Sequence, residues 1–153
     1  MLSFQNAFGS LMRRRQSGGG RRAVYELLAI TPDTGFFAAL QYAATAHGWT
    51  VRWARSVNAA IGVLTCRAIP VILYDWCSAA EDWTESIDRL KLIAEGPSIV
   101  LAAGRVDEEL WREALSLRVY DVVSRAGQFE HLFATLRFAR KWKSERRDLA
   151  GIG

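Results

Sequence analysis

The sequence predicts one α/β domain built as five βα units, a doubly wound sheet of five parallel strands covered by helices. Three observations predict it. The chain has 153 residues, half of them apolar, which suffices for one domain with a substantial core and is too little for two ordinary ones. From about Ala23 onward, short apolar runs alternate five times with stretches whose apolar residues recur at helical spacing, the pattern of βα units laid side by side. No run approaches the eighteen or so continuous apolar residues that span a bilayer. Met1 to Ser17 also lack an apolar stretch followed by a small-residue cleavage site, so the reading is of a cytoplasmic chain.

Residues 1–22 end in RRRQSGGGRR, like charges around a glycine run, and are expected to form a flexible basic tail. The first strand is Tyr25 to Ile30. Phe36, Phe37, Leu40, Ala44 and His47 then fall on one helical stripe, with Gly48 as the stop. Thr50 to Ala54 make the second strand, and Val57, Ala60, Ile61 and Leu64 the second stripe. Val71-Ile72-Leu73-Tyr74 starts after Pro70, is rich in strand formers and ends at Asp75; it should be central and buried on both faces. Trp83, Ile87, Leu90 and Ala94 mark a third helix stopped by Gly96-Pro97. Ser98 to Ala103 is the fourth strand. The fourth helix carries Leu110, Ala114 and Leu115 and should start near Val106, with Asp107, Glu108 and Glu109 at the positive end of its dipole. Val119 to Ser124 is the fifth strand. Phe129, Leu132, Phe133 and Leu136 define a last helix that should break before the basic run RKWKSERR, leaving 142–153 as a second basic tail around a domain of 23–141.

Charge is distributed unevenly. Residues 1–22 hold five Arg and no acid, and residues 137–153 hold six Lys or Arg against Glu145 and Asp148. The remainder has nine basic and fourteen acidic residues, so the body is negative and a nucleic-acid groove across it is disfavoured. Cys66 and Cys77 have no histidine at ligand spacing and are read as two buried or half-buried thiols, neither a disulfide nor a zinc pair. His47 and His131 are read as structural or surface residues. Trp49, Trp53, Trp83, Trp111 and Trp142 are read as packing residues, and Trp76 as a group that could close the mouth of a site at Asp75.

In a doubly wound sheet ligands bind at the carboxyl ends of the strands. The positions to inspect are therefore Thr31, Pro32 and Asp33, then Asp75, then Ala102 to Gly104, then Ser124 to Gly127. The segments LLAITPDTGFFAAL, HGWTVRWARSVNAAIGVL, PVILYDW, PSIVLAAG and VYDVVSRAG together resemble the CheY-like receiver domain of bacterial response regulators, across residues 23–141. The resemblance implies a flavodoxin-like sheet of strand order 2-1-3-4-5. It implies that Asp75 stands at the phosphoacceptor position. The acid pair that helps hold magnesium in such a domain falls on Thr31 and Pro32, neither of which carries a carboxylate; Asp33 lies one place further along. The switch hydroxyl falls on Ala102, or on Ala103 if the loop register slips, the aromatic switch on Val122, the lysine after the fifth strand on Arg125, and the following proline on Ala126. Arg125 keeps the charge in a planar fork of different shape.

Phosphoryl transfer needs a metal and cationic groups to neutralise the transferred oxygens, and a small hard dication wants several oxygen ligands. Weak or absent Mg²⁺ binding is therefore expected, with no other cofactor. Asp75 is expected to pair with Arg125 as a permanent salt bridge. The functional expectation is a stand-alone, non-enzymatic, receiver-like module that binds a protein partner, a signalling protein or histidine kinase, without a phosphorylation switch. A homodimer through the fourth helix, fifth strand and fifth helix, with Trp111, Leu117, Val119 and Tyr120 at its apolar centre, is an accompanying expectation. The alternatives are a conventional phosphoacceptor using Asp75 and an adaptor using the basic tails for nucleic acid or membrane.

Overall fold

Alternation of apolar runs with helical stripes, punctuated by side chains that cap helices, determines the architecture. The computed structural model describes residues 25–77, 82–93 and 96–152, with side chains up to Trp142. The elements run β1 (Tyr25–Ile30), α1 (Thr34–Ala46), β2 (Trp49–Ala54), α2 (Val57–Cys66), β3 (Val71–Trp76), α3 (Trp83–Lys91), β4 (Ser98–Ala103), α4 (Glu108–Ser116), β5 (Asp121–Ser124) and α5 (Phe129–Ile152). All strands are parallel, in the order β2-β1-β3-β4-β5. Each of α1 to α4 begins where a short polar side chain takes an otherwise orphaned amide: Asp33, Ser56, Asp82 and Asp107 accept from backbone N–H groups two or three residues on.

Successive strand residues point to opposite faces, and the sheet therefore has two cores. Leu28, Ile30, Ile72, Tyr74, Ile99 and Leu101 pack with α2, α3 and α4. Leu27, Ala29, Val71, Leu73 and Val100 pack with α1 and α5, where Leu132, Phe133 and Leu136 close the layer. β3 and β4 are buried almost throughout, as expected for central strands covered on both sides.

Several boundaries differ from the sequence expectation, each for a physical reason. β5 starts at Asp121 rather than Val119, because the chain is still turning out of α4: Leu117 and Val119 both donate to the Ala114 carbonyl, and Arg118 takes a left-handed φ of 61°. α5 does not break at the basic run but continues through it to Ile152; Lys and Arg are good helix formers and no Gly or Pro intervenes before Gly151. β3 extends through Asp75 to Trp76, β2 begins at Trp49, and α4 begins at Glu108, behind its Asp107 cap. Cys66 and Cys77 are exposed rather than buried, since each stands where an element ends. Ala94 and the tail 1–22 lie outside the described residues. His47 stacks on Phe133, with ring centroids 4.8 Å apart, and His131 is exposed.

Gly48 ends α1 in the left-handed conformation, φ 76°, and its carbonyl receives the first N–H of β1. A Cβ there would meet nothing within 4 Å, so Gly48→Ala isolates backbone strain from packing. It is expected to lower stability by about 1 kcal/mol in chemical denaturation; an unchanged midpoint would contradict the assigned conformation.

Candidate functional site

The ladder continues one residue past two strand ends: Thr31 N–H donates to the Ala54 carbonyl at 3.0 Å, and Arg125 N–H to the Ala103 carbonyl at 2.9 Å. These bonds hold Thr31 and Arg125 on either side of Asp75, which pairs with Ala102 in the β3–β4 register. Asp75 shares the strand face of Val71 and Leu73, towards the α1/α5 layer, and its side chain is only 1% exposed.

A buried carboxylate is costly unless charge and lone pairs are answered. Here both oxygens are engaged. Thr31 donates its hydroxyl to Oδ2 at 2.7 Å, and Arg125 donates Nε–H to Oδ1 at 2.6 Å. Arg125 then reaches past Asp75 and donates from Nη2 to Asp33 Oδ2 at 2.7 Å. Asp33 closes the circuit, because its own N–H donates to Thr31 Oγ1 at 3.0 Å while its Oδ1 accepts the Phe36 N–H of the α1 cap at 3.0 Å. The result is a closed ring of four residues, Asp75, Thr31, Asp33 and Arg125, with one guanidinium between two carboxylates. Aromatic groups wall it. The Phe36 ring lies 4.9 Å from the guanidinium carbon of Arg125, a cation–π contact. Trp53 donates its indole N–H to the Thr31 carbonyl at 2.9 Å and stacks on Phe37 at 4.4 Å.

Titration follows from this geometry. Burial pushes the Arg125 guanidinium down, but hydrogen bonds to Asp33 and Asp75 outweigh it and raise the group above its ordinary value. The Arg125 hydrogen bond, followed by the Phe36 amide, holds Asp33 below its usual value of 3.8. A carboxylate depressed on folding contributes stability that is present above the unfolded value and is lost as pH falls through the folded one. Asp33 is 43% exposed, so solvent screens its share.

The other positions singled out in the sequence surround the ring without joining it. Pro32 is exposed. Ala102 and Ala103 are buried and bring no hydroxyl to the strand end. Val122 packs into the α2/α3/α4 core. Ala126 donates its N–H to Ser124 Oγ at 3.2 Å. Trp76 does not cover Asp75. As the next residue on the strand it points to the opposite face, where it leans on Trp83 at 5.9 Å and lines an open hollow of about 420 Å³ with Arg105, Asp107, Glu109 and Glu113. Of the four residues expected at the centre of an interface, Val119 is core, while Trp111, Leu117 and Tyr120 are half-buried, the first two packed against the core of Val119 and Tyr120 against the other layer. Sequence reading left Asp33 without a role and missed Phe36 and Trp53 as walls. Aspartate three residues before Phe36 was a legible cap signal; nothing in the sequence marks Trp53.

A small dication takes several oxygen ligands in an octahedral array. The two carboxylates here are bridged by a guanidinium and the threonine hydroxyl is given to Asp75, so a dication would take these oxygens as ligands only in competition with Arg125. Among the described residues no group of three or more His, Cys, Asp or Glu is arranged to hold a metal.

Comparison with solved structures places the fold. The chain is similar to a response regulator from Thermotoga maritima, with a TM-score of 0.70 and 16% identity over 78% of this chain and 99% of that one. It is similar to the signal receiver domain of an HD domain-containing protein from Pseudomonas fluorescens Pf-5, with a TM-score of 0.72 and 18% identity over 85% of this chain and 96% of that one. A third similar structure is a response regulator protein from Burkholderia pseudomallei with a phosphorylated aspartic acid, calcium ion and citrate, at a TM-score of 0.66 and 16% identity over 82% of this chain and 74% of that one. No protein-family model matches the sequence, and no significant match is found among curated proteins. The chain has the receiver fold, with the strand order the resemblance implied.

Proposed function

We propose that the chain is a receiver-like signalling module that works by binding a protein partner, is not an enzyme, and does so without phosphoryl transfer or magnesium. The observation that supports this reading is that both oxygens of the Asp75 carboxylate are engaged, by Thr31 and by Arg125. Attack on a phosphoryl donor uses a carboxylate lone pair, which a hydrogen bond to each oxygen and the ion pair with Arg125 make less nucleophilic, and a metal that offsets charge on the transferred group. In this chain Arg125 supplies the positive charge permanently, so the site is fixed in one state.

The partner, in this reading, meets a surface that does not switch, in the cytoplasm where receivers and their kinases operate. Conventional phosphoacceptor chemistry at Asp75 is the competing outcome. Incubation with acetyl phosphate and Mg²⁺, followed by phosphate-affinity electrophoresis and intact mass spectrometry, distinguishes the two. No modified species is expected. A phosphorylated species that disappears in Asp75→Asn would show the site to be active and overturn the proposal.

A further inference from the structure

We infer that the hollow on the α3 side of α4 takes an arginine side chain from a protein partner. The inference rests on the reading that the chain works by binding protein, and it names the place and the chemistry of one contact. β3 runs one residue past Asp75 to Trp76, and strand alternation turns that side chain away from the Asp75 ring. On the opposite face its ring leans on Trp83, the first residue of α3, with centroids 5.9 Å apart and planes at 43°. Trp83 is buried and Trp76 half-buried, so the pair gives the hollow of about 420 Å³ an aromatic wall.

The facing wall is acidic. α4 contributes Glu109 and Glu113 and its cap contributes Asp107, while Arg105 is the one cation among the described lining residues. The fold accounts for two of these acids. Asp107 Oδ1 accepts the Leu110 N–H at 2.8 Å, and Glu109 stands in the first turn, where the helix dipole favours an acid. Glu113 has no such account. It lies in the C-terminal half of a nine-residue helix, where an acid opposes the dipole, and four residues from Glu109, where like charges repel. Glu108 on the same helix is paired with Arg112 at 3.4 Å. Glu109 and Glu113 are exposed and make no ion pair among the described residues.

A second, independent observation is a donor. The indole Nε1–H of Trp76 is buried with no acceptor, and such groups are rare because each keeps its desolvation cost. An aromatic face, two unpaired carboxylates and a spare donor together suit one kind of occupant. A guanidinium lies flat on an indole and turns its N–H edge to carboxylates, and the peptide that carries it brings carbonyl oxygens for the indole. An ammonium would meet the carboxylates as a point charge without the flat stack. An acidic or apolar segment would leave them unanswered. Tryptophan and arginine are also the residues that concentrate binding energy at protein interfaces.

Titration of the isotope-labelled full chain with the blocked tripeptide acetyl-Ala-Arg-Ala-amide, followed by heteronuclear NMR, tests the inference. Saturable shifts are expected at the Trp76 indole N–H and at the amides of Gly104 to Glu113, with a dissociation constant roughly in the millimolar range for this single contact. The same peptide with citrulline, which keeps the shape and loses the charge, should give none. Glu109→Gln with Glu113→Gln should weaken binding about fivefold, at about twofold per exposed pair, and Trp76→Leu should weaken it about fivefold. Binding should also fall as salt rises. The two glutamates are exposed, and unchanged amide shifts away from the hollow show that their variant is folded. Absence of saturable shifts at the hollow overturns the inference. So does equal binding of the citrulline peptide, binding unchanged in the glutamate variant, or shifts centred on Asp33 and Asp75 instead. Phosphorylation of Asp75 by acetyl phosphate would overturn the fixed-state reading and leave this titration unaffected, and failure here would leave the phosphorylation result unchanged.

Discussion

Arg125→Met is expected to cost about 3 kcal/mol or more of folding stability, because it strands the Asp75 carboxylate in the core with no cation. Methionine matches the length and bulk of the arginine stem, so the loss measures charge rather than packing. The effect is large against a whole-domain stability of about 5–15 kcal/mol. Thr31 still donates one hydrogen bond to Asp75, and that keeps the loss from growing further. Asp75→Leu should cost less, since Arg125 is 25% exposed and retains Asp33. The double variant Asp75→Leu/Arg125→Met should recover most of the deficit of Arg125→Met, because no isolated buried charge is left.

The pH dependence has a definite sign. In the parent, Asp33 is depressed first by Arg125 and then by the Phe36 amide, so its contribution is present above about pH 3.8 and disappears below. Removing Arg125 removes the larger cause and flattens that acid limb. Urea melts at pH 7 and at a pH well below 3.8 read this effect. A deficit independent of pH, or a double variant as unstable as Arg125→Met, would show that the ring does not carry the energetic weight assigned to it.

Phe133→Ala is expected to cost about 3–5 kcal/mol. Phe133 is fully buried in the α1/α5 layer, with His47 stacked on it at 4.8 Å and Trp49 tilted against it at 6.1 Å. It therefore ties α5 to the C-terminus of α1 and the start of β2. Truncation leaves a cavity lined by rings that cannot collapse into it, which puts the cost in the upper part of the range for large-to-small changes. Phe133→Leu, which retains most of the volume, should cost less than half as much. Guanidinium melts of the two variants make the comparison, and near-equal losses would argue against cavity formation as the cause.

Much of this was legible in the sequence. β3 and β4 could be read because a continuous apolar run followed by a break has one main explanation in a βα alternation, and Asp75 could be placed because it ends the clearest of those runs. The pairing of Asp75 with Arg125 could be read because the resemblance puts opposite charges at the carboxyl ends of β3 and β5, on either side of β4. The remainder depended on geometry that spacing does not encode. Asp33 serves α1 as a cap and Arg125 as an acceptor with different oxygens of one carboxylate, and only the direction of the side chain reveals the second role. Trp76 was misjudged because sequence adjacency to Asp75 suggested proximity, whereas strand alternation sends neighbours to opposite faces. β5 was overextended because Val119 and Tyr120 favour strands, yet the left-handed Arg118 keeps them in the turn. The length of α5 was underestimated because basic composition was taken as a sign of a tail.

The two margins of the sheet also limit how another chain can attach. β2 and β5 are the outermost strands, the places where a foreign strand could add itself by backbone pairing. β2 carries Arg52, paired at 2.5 Å with Glu26 of β1, and Glu26 also accepts from Arg67 at 2.6 Å. β5 is only four residues long, and the Asp121 carboxylate takes the Val122 amide at 2.7 Å. One margin is guarded by charge, and the other is short with a donor already taken. Attachment by strand addition is therefore disfavoured at both margins, and the same protection makes ribbon-like self-stacking of folded molecules unfavourable.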